Sequence, residues 1–182
     1  MILNLPNGLT FLRLILTPLI VMFLLDGAFF WALMVFLVAG VTDGLDGFLA
    51  RSSQGSTAFG RILDPLVDKI FMGSSFITLA FLGHLPIWLA GIAVGRDLVL
   101  MIGSCILYTV SGRLGYPPSV IGKLSTVLQV LTVLAVMVMT KGDGRLDPLF
   151  WGMAILSVAS GLDYVYRGSV ELIARLRNTS PA

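Results

Sequence analysis

Six apolar stretches, at 9–25, 29–50, 58–82, 86–110, 119–140 and 149–166, occupy most of this chain. About 20 predominantly apolar residues in a helix cover the hydrocarbon core of a bilayer, at about 1.5 Å of rise per residue. Each stretch comes close to that length. The breakers fall in the connections: Asp26-Gly27, 52–56, Gly83-His84, 112–118 and 141–148. Hydrophobic residues make up 57% of the chain and charged ones only 12%, at a mean hydropathy of +0.95. That is more apolar surface than a water-soluble domain of 182 residues needs. With no internal repeat, low-complexity tract or linker, residues 1–182 read as a single membrane domain. The expected fold is an all-α integral membrane protein of six transmembrane helices, with short interfacial helices at the N- and C-terminal ends.

Basic residues set the expected orientation. A cytoplasmic N-terminus puts Arg13, Arg51, Arg61, Lys69, Arg113, Lys123, Arg167, Arg175 and Arg177 on that side. The other side then holds Lys141 and Arg145, balanced by Asp143 and Asp147. The excess of basic residues on the cytoplasmic side places both termini there. Trp31, Trp88 and Trp151 begin the even-numbered spans, at the outer headgroup level; Tyr108, Tyr116, Tyr164 and Tyr166 lie towards the inner ends. The opening residues have neither the basic region nor the cleavage site of a secretory signal and read as an interfacial segment. The tail, 163–177, alternates charge with apolar residues and reads as an amphipathic continuation out of the membrane. A net charge of +2 argues against nucleic acid as a partner. Cys105, the single cysteine, reads as a small packing residue, and His84 as a solvated residue of an outer turn.

Four of the ten acidic residues crowd into Asp43-Gly-Leu-Asp46-Gly-Phe-Leu-Ala-Arg51 and Gly60-Arg-Ile-Leu-Asp64-Pro-Leu-Val-Asp68. A carboxylate near hydrocarbon costs about 2.5–3.5 kcal/mol at a helix centre, and four close together repel. Asp43 and Asp46 are three positions apart and Asp64 and Asp68 four, so each pair shares one face of a helix. The residues between the pairs hold a turn, which lets the two helices run antiparallel with both pairs at the cytoplasmic end. Four hard oxygen ligands there suit Mg²⁺ or Mn²⁺, and a two-ion clamp suits transfer at phosphorus. Gly44, Gly47 and Gly60 stand beside the carboxylates at about 1 kcal/mol each relative to Ala, leaving room for a bulky ligand near the backbone. Arg51 can reach a phosphate bidentately. Taken singly, the glycines read equally as helix-packing positions, and Arg51 as a snorkelling residue at a helix end.

The string Asp-x2-Asp-Gly-x2-Ala-Arg-x8-Gly-x3-Asp-x3-Asp resembles the full signature of the CDP-alcohol phosphotransferase family. Members move a phosphatidyl or related group from a CDP-linked donor to an alcohol and release CMP. The resemblance implies that Asp43, Asp46, Asp64 and Asp68 bind two divalent ions and that Asp68 also serves as general base. It further implies that Gly47, Arg51, Thr57 and Gly60 contact the CDP part of the donor. Asn7 and Thr10 resemble the N-terminal segment that helps cover the nucleotide. A homodimer in the cell (inner) membrane, with its active site facing the cytoplasm, is implied in the same way.

Two branches of the family are the most similar. One makes phosphatidylglycerophosphate from CDP-diacylglycerol and glycerol 3-phosphate; the other makes cardiolipin, with phosphatidylglycerol as the acceptor. Arg96 and Lys123 are the candidates for holding an acceptor phosphate, although Arg96 reads also as an ion-pair partner of Asp97 or of a motif carboxylate. Many glycerol-3-phosphate users carry Arg-Glu where this chain has Arg96-Asp97, and a further arginine where it has Ser104. That less basic pocket lends weight to a lipid acceptor, while the wider occurrence of the glycerol-3-phosphate reaction puts it first. An ion-coupled transporter would also carry intramembrane carboxylates. Such sites lie near the midplane on broken helices and have no use for Arg51 and the glycine set.

Overall fold

The computed structural model describes the backbone of residues 5–49, 60–111, 119–139 and 144–178, and the side chains of 11–42, 66–107, 109, 119–139 and 144–171. Those residues are almost entirely helical and contain no strand: α1 (Leu5–Leu25), α2 (Phe29–Leu49), α3 (Gly60–Phe81), α4 (Ile87–Ser111), α5 (Val120–Val138) and α6 (Asp147–Asn178). A single 3₁₀ turn, Gly144–Leu146, leads into α6. The six helices coincide with the six apolar stretches to within a few residues, except that α6 runs on.

The terminal segments join the flanking helices, at the C-terminal end as the continuation expected of residues 163–177. No separate interfacial helix precedes α1 or follows α6 among the described residues. Pro6 sits in the first turn of α1, where its missing N–H would lack an intrahelical partner anyway, so the opening segment joins the helix. The tail contains no proline, and an Arg167–Asp163 ion pair of 2.8 Å supports it at i,i+4, so α6 continues unbroken for 32 residues.

The two shortest connections end their helices in the same way. After α1, the Ala28 amide donates to the Phe23 carbonyl (2.8 Å) and the Gly27 amide to that of Leu24 (3.0 Å). After α3, the His84 and Gly83 amides do the same towards Leu79 and Ala80, both at 2.9 Å. This Schellman pattern needs a residue in the left-handed region, and Gly27 (φ 71°) and Gly83 (φ 70°) supply it. His84 is half-buried rather than solvated, because its ring packs 4.5 Å from that of Phe29.

The chain divides into two compact units, residues 1–90 with 133–143, and residues 91–132 with 144–182. In the first, α1 packs against both α2 and α3. Leu16, Ile20 and Leu24 of α1, Ala32, Val35, Phe36 and Ala39 of α2, and the α3 stripe Val67, Phe71, Met72, Phe76 and Leu79 are all buried. The Phe36 and Phe71 rings stack at 5.6 Å. Pro18 interrupts the α1 ladder, having no N–H to offer Leu14, while the Thr17 hydroxyl donates to the Arg13 carbonyl at 2.8 Å.

In the second unit Leu107, Phe150 and Met153 are buried, and polar contacts join the helices as well. The Ser125 and Ser157 hydroxyls meet at 3.0 Å, and those of Ser104 and Tyr164 at 2.6 Å. The Tyr164 ring lies directly over Gly103. Cys105 is exposed, contrary to its reading as a packing residue, because the packed side of α4 is the one carrying Arg96, Gly103 and Leu107.

Large apolar side chains such as Phe30, Ile87, Ile102, Val127, Ile155 and Leu162 are exposed, as on a surface that meets lipid. Trp31, Trp88 and Trp151, near the starts of α2, α4 and α6, are exposed too. Among the described residues three helical stretches are long and apolar enough to cross a membrane: Ile87–Leu107, Val120–Val138 and Gly144–Glu171.

Candidate functional site

The motif carboxylates fall on two helices of the first unit. The α2 backbone is helical through Asp43 and Asp46, and that of α3 through Asp64 and Asp68, so the i,i+3 and i,i+4 relations hold in each helix. The side chains of Asp43, Asp46 and Asp64 lie outside the described residues, as do those of Asn7, Thr10, Gly47, Arg51, Thr57 and Gly60. Among the described residues no three potential metal ligands cluster, since only Asp68 of the four aspartates is included.

Asp68 is half-buried and faces Arg13, which the sequence marks only as one of the basic residues that set orientation. Arg13 of α1 approaches its carboxylate to 3.7 Å, a charge–charge contact rather than a short hydrogen bond. Arg13 itself is 8% exposed. It continues the buried stripe of Thr17, Ile20 and Leu24, and that spacing was the signal available in the sequence.

The acceptor candidates belong to the second unit. Arg96, 6% exposed, has its whole guanidinium engaged. Nη1 donates to Asp97 Oδ1 (2.6 Å) and, at the limit, to Thr126 Oγ1 (3.5 Å). Nη2 donates to the Gly122 carbonyl (3.0 Å) and Ser160 Oγ (3.1 Å), and Nε to the same Ser160 oxygen (3.3 Å). The ion-pair reading of Arg96 is therefore met by Asp97. Lys123 follows Gly122 in the first turn of α5 and is exposed. Ser104 is an uncharged partner of Tyr164.

A model of the CDP-alcohol phosphatidyltransferase family matches residues 3–163. An Aquifex aeolicus protein named CDP-diacylglycerol–glycerol-3-phosphate 3-phosphatidyltransferase is 33% identical over 172 residues, covering 91% of this chain and 96% of its own. A probable phosphatidylglycerophosphate synthase of Mycobacterium tuberculosis (strain H37Rv) is 34% identical, over 97% of this chain and 87% of its own. A CMP-forming cardiolipin synthase of Streptomyces coelicolor is 32% identical, over 81% of this chain and 71% of its own. With the family match spanning most of the chain, including both aspartate pairs, this protein belongs to the CDP-alcohol phosphatidyltransferase family.

Proposed function

We propose that the protein transfers the phosphatidyl group of CDP-diacylglycerol to glycerol 3-phosphate, giving phosphatidylglycerophosphate and CMP. The observation that carries this reading is near end-to-end similarity to proteins named for that reaction, at 91% and 97% of this chain. In the same reading residues 1–182 form one six-span domain in the cell (inner) membrane, working as a homodimer with the site towards the cytoplasm.

Asp43, Asp46, Asp64 and Asp68 form an all-carboxylate donor set, which fits hard divalent cations such as Mg²⁺ or Mn²⁺. When bound, a pair of such ions supplies charge neutralisation for the departing phosphate. Gly47, Gly60, Thr57, Arg51, Asn7 and Thr10 hold the CDP part of the donor. Asp68 takes the proton of the acceptor hydroxyl as its oxygen bonds to the β-phosphorus, and the bond from that phosphorus to the bridging oxygen breaks to release CMP. Arg13 keeps the Asp68 carboxylate oriented. Lys123, exposed on α5, supplies the cation for the acceptor phosphate.

A second reading, cardiolipin formation with phosphatidylglycerol as acceptor, is favoured by the second unit's chemistry. The Arg96 charge is matched by Asp97, and Ser104 and Tyr164 offer hydroxyls rather than charge. One assay separates the two. Purified protein with CDP-diacylglycerol and Mg²⁺ or Mn²⁺ is expected to release CMP with glycerol 3-phosphate and to stop on chelation. Release with phosphatidylglycerol alone would move the assignment to the second reading. Release with neither, nor with inositol or serine, would refute both.

A further inference from the structure

We propose that Arg96 is a positioning residue: it fixes the first turn of α5, and with it Lys123, and does not itself touch the acceptor. The proposal rests on Lys123 serving the acceptor phosphate as above. An arginine in a membrane-spanning helix ordinarily marks a substrate path or a pairing partner. Here every polar edge of the guanidinium is already occupied from within the unit. Asp97, on the same helix, balances its charge at 2.6 Å. The remaining bonds tie three helices at one point: Gly122 and Thr126 of α5, and Ser160 of α6. An acceptor phosphate could be gripped only by breaking several of these bonds, each leaving a buried partner unsatisfied.

The start of α5 is built around this clamp. The Ser119 hydroxyl accepts from the Gly122 amide at 3.1 Å, capping the helix, and the Lys123 amide donates to the Ser119 carbonyl at 3.0 Å. The Gly122 carbonyl receives both Arg96 Nη2 and, at 3.1 Å, the Thr126 hydroxyl. A Cβ at Gly122 would lie in ordinary contact with Ser160 Oγ (3.4 Å) and Arg96 Nη2 (3.7 Å), so the clamp closes directly against this stretch of backbone. The residue held next in sequence is Lys123. A bidentate guanidinium makes this three-way tie, and the ammonium of a lysine cannot reproduce its planar fork.

Two measurements test the proposal. Hydrogen exchange in detergent should show that Arg96→Gln and Ser160→Ala speed exchange across residues 119–128, about tenfold for Arg96→Gln, with α1–α3 unaffected. Steady-state kinetics should show both variants raising the acceptor KM, several-fold or more, with donor KM within about twofold and the thermal midpoint of Ser160→Ala near wild type. In a double-mutant cycle, Arg96→Gln should change acceptor KM by less than about twofold once Lys123→Ala is present. Arg96→Lys should not restore it. Additive effects in the cycle would make Arg96 a direct ligand and overturn the proposal. So would unchanged exchange, or a parallel rise in donor and acceptor KM. If Arg96→Gln does not fold, Ser160→Ala carries the same cycle. Wild-type protein that releases no CMP with either acceptor would refute the transfer reading, while the exchange data would still decide whether Arg96 holds α5.

Discussion

Arg13 reaches from α1 to Asp68 on α3, an ion pair whose cation is almost enclosed and whose carboxylate is 37% exposed. Breaking a buried pair from one side costs about 3–5 kcal/mol, and a half-exposed partner recovers much of that through water. Arg13→Gln is therefore expected to lower stability by about 1–2 kcal/mol, read as a shift in the thermal midpoint in detergent. Asp68→Asn is expected to abolish turnover while CDP-diacylglycerol binding persists in part; a variant that still turns over would reassign the base. The motif aspartates were legible because their spacing is a chemical pattern in the sequence itself. Arg13 was not, although its place on the α1 stripe was available. Sequence shows that a charge in an apolar run needs a partner, and only packing reveals which carboxylate supplies it. For Arg96 both a substrate phosphate and Asp97 were open, and the neighbouring residue is the partner found.

At the scale of elements, helix positions followed from apolar length and from glycine breakers, whereas the meeting of helices did not. Gly103 shows why. Nothing in its local sequence marks it, yet a Cβ there would come 2.6 Å from Tyr164 Cε1. The ring cannot swing aside freely, because its hydroxyl is bonded to Ser104 at 2.6 Å. Gly103→Ala should therefore force the α4–α6 contact apart, with a loss of about 1–3 kcal/mol typical of overpacking. Adding Tyr164→Ala removes the obstructing ring, so the double variant should be less destabilised than the sum of the singles by about 1 kcal/mol or more. Thermal unfolding of the four proteins measures this. Strict additivity would mean that the tyrosine ring is not what glycine accommodates. The unbroken α6 has a related lesson: composition changes at residue 163, but a helix stops only where its backbone is interrupted, and no breaker stands there.

For the whole molecule, three crossings and six differ in parity. Length permits all six: α1, α2 and α3 have 21, 21 and 22 residues, hence about 32 Å each at 1.5 Å per residue, against about 30 Å of hydrocarbon. Within the described side chains the apolar stretches run over Phe11–Leu25 and Phe29–Thr42, and α3 carries Asp64, Asp68 and Lys69 towards its N-terminal end. The glycine caps add a constraint. Gly83 turns the chain between α3 and α4 within a few residues, so α3 must end on the face where α4 begins. If α3 did not cross, its two carboxylates would remain on the side of Trp88, away from the basic residues of the other face. A crossing α3 puts them on the face opposite Trp88, in keeping with the bias of basic residues. Six crossings place the two termini on one face; crossing by α4–α6 alone places them on opposite faces. With the single cysteine removed (Cys105→Ser), Ile2→Cys, Asp143→Cys and Ser180→Cys can each be probed with a membrane-impermeant maleimide. Intact cells should label the variant at position 143, and those at positions 2 and 180 only after permeabilisation. Labelling at position 2 but not at 180 in intact cells would establish an odd number of crossings and move the carboxylates away from a cytoplasmic donor.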